Sequence, residues 1–177
     1  MLANIPRLKD FIAKNNLDAV IATCPENVTY LSGFWAMSQW VRRGPQAYVL
    51  FPRETAQPCI IANSGILDLI PDQQPWIREV RRYGYFQIDV DSSATLDAGD
   101  VLQQQLFGST AYKDSVDALV TAMKEKGLTR GTVGIDEMGI TPQCMEQLTA
   151  ALPDVKFVRC FSLFERVRSV KTPGEIE

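Results

Sequence analysis

Short apolar runs, each closed by a turn signal and separated by helix-length stretches, constrain this chain most. Residues 18–23 form one such run, ended by Pro25, and read as a buried strand. Residues 46–51 and 57–62 form two more around the turn 52–55, which predicts a hairpin. Residues 132–136 and 155–160 give two further strands. In 76–83, Arg78, Val80 and Arg82 oppose Ile77, Glu79 and Arg81, which predicts an edge strand with both faces polar. Between these lie helical patterns. Ile5, Leu8, Phe11 and Ile12 share a face behind Asn4 as N-cap, and 26–31 form a short helix ending at Gly33. Stretches 96–107, 115–126, 142–152 and 161–170 are also helical. Alternation of the two element types predicts a single α/β domain whose mixed β-sheet is flanked by helices.

The 177 residues contain no histidine, which removes the commonest general base and zinc ligand from any site built by this chain alone. A net charge of -3 gives no positive field to gather nucleic acid or an anionic membrane. Arg78, Arg81 and Arg82 cluster without aromatic interleaving beyond Tyr83 and Tyr85 and read as a solvated edge strand, not a nucleic-acid track. The turn after the first strand, residues 23–27, lacks the glycines and lysine of a phosphate loop. Cys24, Cys59, Cys144 and Cys160 form no close pair and read as reduced structural thiols of a cytoplasmic protein. No stretch approaches the roughly 20 apolar residues of a bilayer span. Asp89 with Asp91, and Asp136 with Glu137, are paired acids, but two carboxylates without further ligands seldom hold a divalent ion; they read as solvated loop or strand-end groups.

Near the end, Thr172, Pro173 and Glu175 make a capping-box pattern with proline at the first helical position, so a new helix begins where the sequence stops. This predicts residues 1–165 as an N-terminal domain and 166–177 as a linker entering a further C-terminal domain.

Residues 17–21 (Leu-Asp-Ala-Val-Ile), 25–34 (Pro-Glu-Asn-Val-Thr-Tyr-Leu-Ser-Gly-Phe), 133–136 (Val-Gly-Ile-Asp) and 166–176 (Arg-Val-Arg-Ser-Val-Lys-Thr-Pro-Gly-Glu-Ile) together resemble the creatinase, prolidase and aminopeptidase P family. The similarity runs in order along nearly the whole chain. It implies the N-terminal substrate-capping and dimerisation domain of a Xaa-Pro peptidase-like or creatinase-like metallohydrolase. The cofactors it implies are two divalent metal ions, Mn, Co or Zn, held in a following catalytic domain by two Asp, two Glu and a His. It assigns no catalytic or metal residue to this chain. The implied partners are the chain's own C-terminal catalytic domain, a second copy in a homodimer, and a small-molecule or peptide substrate. The alternative is a non-catalytic peptide- or protein-binding module of the same fold.

The stretch 34–44 holds Phe34, Trp35, Met37 and Trp40 in a connection more apolar than solvent tolerates. The bland reading packs Phe34 and Met37 under the domain's own sheet or a dimer partner. The resemblance implies that an arginine following the glycine-aromatic turn binds a substrate carboxylate in the partner subunit's cleft. Arg42 is the nearest match, with Arg43 adjacent; a surface arginine pair is the alternative. Trp35 and Trp40 would wall such a site.

Overall fold

Buried apolar runs form the central strands of one sheet. A computed structural model describes residues 2–41, 46–54, 56–89, 91, 93 and 95–176. The elements run α1 (Ile5–Lys14), β1 (Ala19–Ala22), α2 (Pro25–Ser32), α3 (Met37–Trp40), β2 (Tyr48–Pro52), β3 (Cys59–Asn63), a 3-10 turn (Ser64–Ile66), α4 (Leu69–Gln73), β4 (Glu79–Tyr83), α5 (Ala98–Gly108), β5 (Ala111–Tyr112), α6 (Ser115–Glu125), β6 (Gly131–Ile135), α7 (Pro142–Ala151), β7 (Val155–Arg159), α8 (Phe161–Arg168) and α9 (Pro173–Ile176). The strand order is β5-β4-β3-β2-β1-β6-β7. β2 pairs antiparallel with β1 and β3, and the remaining pairings are parallel. The α/β class, the mixed sheet and the hairpin expected from 46–62 are all present.

Alternation along the strands sorts the core into two layers. Val20, Ala22, Val49, Phe51, Ile60 and Ala62 pack beneath α1, α2, α4 and α8, and Leu106 and Phe107 of α5 lie against the same layer. Ala19, Ile21, Leu50, Ile61, Val133 and Ile135 face α6 and α7 instead. Local signals set the helix ends. Asn4 Oδ1 accepts the Arg7 amide at 3.2 Å, and Gly33 leaves α2 in the left-handed region at φ 78°, where a side chain is disfavoured. The Thr172 pattern is half as expected: Glu175 accepts the Thr172 amide at 2.9 Å, while the Thr172 hydroxyl donates to the Leu2 carbonyl at 3.1 Å.

The strand expected at 76–83 needs correction. It starts at Glu79 and lies inside the sheet, because the two-residue β5 pairs with its outer side. Its charges are neutralised under α6: Arg81 contacts Glu79 at 2.8 Å and Glu125 at 2.6 Å, and Lys126 contacts Glu79 at 2.7 Å. Arg82 donates to the Ser109 carbonyl at 2.8 Å. Of the three arginines read as a solvated cluster, only Arg78 is exposed. Alternating charge suggested water on both faces, but opposite charges on a neighbouring helix can cover a strand as well as apolar residues do. Among the described residues, no helix is long and apolar enough to cross a membrane.

Candidate functional site

β1 and β6 are parallel neighbours, but their chains leave the sheet in opposite directions. β1 runs into α2 in one layer, while β6 leads to α7 in the other. Such a divergence opens a crevice at the carboxyl ends of the two strands, the place where open α/β sheets bind ligands. A cleft of about 420 Å³ lies there, lined by residues that include Cys24, Pro25, Met138, Gly139 and Phe161.

Asp136, the first residue after β6, is fully buried at the base of this region. Its Oδ2 accepts from the Cys24 amide at 2.9 Å and from Asn27 Nδ2 at 2.8 Å, and its Oδ1 accepts from the Met138 amide at 3.2 Å. The carboxylate therefore closes the N-terminus of α2, whose N-cap Cys24 makes no side-chain cap of its own. Glu137 does the same for α8 by accepting the Phe161 amide at 3.2 Å. Asp136 is thus corrected from a solvated strand-end group to a buried one: an acid placed directly after a strand meets the unsatisfied N–H groups of a helix that starts beside it. Gly139 completes the joint. A Cβ there would overlap the backbone of Thr23 and Cys24, so only glycine allows the loop after β6 to lie against the end of β1. Burial first, and then the Asp136 carboxylate, push the Cys24 thiol well above its ordinary range, which leaves it protonated and unreactive at neutral pH.

Two glutamines border the same cleft. Gln39 of α3 is 4% exposed; its Nε2 donates to the carbonyls of Thr23 and, at 3.0 Å, Ala47. Those two acceptors fix the amide's orientation, so its Oε1 is an acceptor, and it is buried without a partner. Gln46 Oε1 is likewise buried and unpartnered. Glu26 and Arg168 also line the cleft, and neither is in an ion pair among the described residues. Arg168 Nη1 donates to Asn27 Oδ1 at 3.1 Å, which ties it to the Asp136 network. The sequence offered no signal for the glutamines, since an amide in a polar connection carries no pattern. Asp136 and Gly139, three residues apart after an apolar strand, were a signal that the sequence reading did not use.

The residues expected to touch substrate are placed only in part. Phe34 is buried in the core as the bland reading had it, while Met37 is 49% exposed. Trp35, two residues before α3, and Trp40, its last residue, are 47% and 39% exposed. Trp35 is held through its backbone, its amide donating to Gln73 Oε1 at 2.6 Å and its carbonyl accepting from Gln73 Nε2 at 3.1 Å. The Trp40 indole donates to Thr29 Oγ1 of α2 at 3.4 Å. Arg42 and Arg43 lie outside the described residues.

The described residues do not fit a metal. Among the described residues, no group of three or more His, Cys, Asp or Glu is placed to hold one, and the buried carboxylate of Asp136 is already filled with N–H donors.

The sequence model of the Creatinase/Prolidase N-terminal domain matches residues 5–170. The chain belongs to that family. No curated protein matches it closely enough to count as a relative. Among solved structures, the prolidase from Pyrococcus horikoshii OT3 is 16% identical with a TM-score of 0.57, covering 97% of this chain and 36% of that one. The Xaa-Pro dipeptidase from Bacillus anthracis is 18% identical with a TM-score of 0.62, covering 97% and 37%. The N-terminal domain of the cytoplasmic peptidase PepQ from Mycobacterium tuberculosis H37Rv is 17% identical with a TM-score of 0.53, covering 91% and 95%. At these identities the likeness is one of fold. This Creatinase/Prolidase N-terminal domain spans little more than a third of the P. horikoshii prolidase chain.

Proposed function

We propose that this chain is the substrate-capping and dimerising N-terminal domain of a dinuclear metal-dependent hydrolase of the Xaa-Pro peptidase or creatinase type. Residues 1–165 form the cap, and residues 166–177 lead into a catalytic domain that holds the divalent metals. The supporting observation is the apolar ridge of Trp35, Met37, Trp40 and Val41, exposed on a segment whose backbone is pinned to α4 and whose core side carries Phe34. A ridge held this rigidly presents a preformed surface to a cleft or a second subunit. Arg42 and Arg43 follow it directly in sequence and supply forks suited to a substrate carboxylate. The four free cysteines, three of them buried, suit a cytoplasmic location.

The test uses the enzyme that contains this chain, assayed on a Xaa-Pro dipeptide with Mn²⁺. Arg42→Ala or Arg43→Ala should raise KM by about 10- to 100-fold, the loss of one charge-assisted pair, with kcat nearly unchanged. Trp40→Ala should raise KM less. Light scattering should show a dimer. Turnover by the 177-residue chain alone, or an unchanged KM in both arginine variants, would overturn the reading. A following domain that lacks metal ligands would favour a binding module instead.

A further inference from the structure

The cleft at the ends of β1 and β6 combines three features that nothing in the capping role requires. Gln39 and Gln46 bring two buried acceptor oxygens without donors, although a buried polar atom left unpaired is costly and rare. Glu26 and Arg168 bring opposite charges to one cleft and yet form no ion pair with each other. Pro25, Met138 and Phe161 add apolar wall.

We propose that this cleft binds a small zwitterion, an α-amino acid, with its ammonium group donating to the glutamine oxygens and Glu26 and its carboxylate received by Arg168. The polarity decides the class. A simple anion would meet two carbonyl oxygens and a carboxylate, and a simple cation would leave Arg168 without its counter-charge. The buried Asp136 carboxylate, which accepts from the Cys24 amide and the Asn27 side chain, already sets a negative charge at the start of α2, so a second anion is not drawn there. Gly139 lines the cleft, and its missing side chain lets the β6 loop lie against Thr23 and Cys24. The proposal stands independently of the capping reading, since every group it uses belongs to this chain.

The test is a titration of the ¹⁵N-labelled 177-residue chain with L-leucine, 4-methylpentanoate and 3-methylbutylamine. These share one side chain and differ only in which charged groups they carry. L-Leucine should shift the side-chain amide signals of Gln39 and Gln46 and the backbone signal of Gly139, and the shifts should saturate. Each single-charge analogue should bind at least about tenfold more weakly, the worth of one charge-assisted contact. Glu26→Gln and Arg168→Met should each weaken L-leucine by a similar factor, with the rest of the spectrum reporting that the variant is folded. Absence of saturable shifts at these residues, equal binding of the analogues, or unchanged affinity in both folded variants would overturn the proposal. Glutamine oxygens satisfied by water alone would show as the first of these.

Discussion

Replacing Asp136 by asparagine tests whether the joint between β1 and β6 depends on a charge. The asparagine side chain has nearly the same shape but a single acceptor oxygen. Turned toward Cys24 and Asn27, that oxygen keeps the contacts at 2.9 and 2.8 Å as neutral bonds, each weaker by about 1 kcal/mol. Its NH2 then faces the Met138 amide, donor against donor, and leaves that N–H unpaired at a cost of about 1 kcal/mol. Loss of negative charge at the start of α2 adds a few tenths, while burying a neutral amide instead of a carboxylate returns about 1 kcal/mol. The net loss is about 2 to 3 kcal/mol, or about 5–10 °C in Tm for a domain of this size. Asp136→Ala, which leaves the Cys24 and Asn27 donors without any acceptor, should lose about 4 kcal/mol. Urea unfolding followed by circular dichroism measures both as a lower midpoint at unchanged slope. A loss below about 0.5 kcal/mol in Asp136→Asn would refute the reasoning, as would an asparagine variant less stable than the alanine one.

Gly139→Ala should destabilise the chain by at least about 2 kcal/mol, because the added methyl overlaps backbone and not a movable side chain; thermal melting checks this, and a neutral result would mean the loop can shift freely. Burial works to raise the Glu79 pKa, but the bonds from Lys126 and Arg81 outweigh it and hold the group below its ordinary 4.5. A carboxylate lowered on folding adds stability that is present above its unfolded pKa and disappears as pH falls through the folded one. Wild type should therefore lose stability below about pH 4.5 more steeply than Glu79→Gln, measured by urea midpoints from pH 7 to pH 3, and parallel acid limbs would contradict the assignment.

Strands and helices whose apolar spacing is unbroken were legible from the residues: the hairpin of β2 and β3, the Asn4 cap, the Gly33 exit and both long central helices. Elements too short to carry a period were not. β5 has two residues and α3 has four, so neither shows a pattern, and without β5 the neighbouring β4 reads as an edge. The candidate site was the least legible part. Asp136 and Asn27 are 109 positions apart, and only the pairing of β1 with β6 brings them together. Gln39 Oε1 lacks a partner because Nε2 is committed elsewhere, a fact of geometry that no local pattern encodes. The aromatic connection was recognisable from its composition, yet which of its rings would be covered depended on a helix of four residues.

The central position of β1 carries a consequence for how the molecule is made. Its partner on one side, β2, follows within thirty or so residues, but Ala19 to Ile21 on the other side wait for Val133 to Ile135. During synthesis the nascent sheet of the first four strands, complete at Tyr83, therefore emerges with β1 as a naked border, apolar on both faces, until the chain has been extended to Ile135. Newly made chains are most open to mispairing with one another in that interval, and the arrival of β6 ends it.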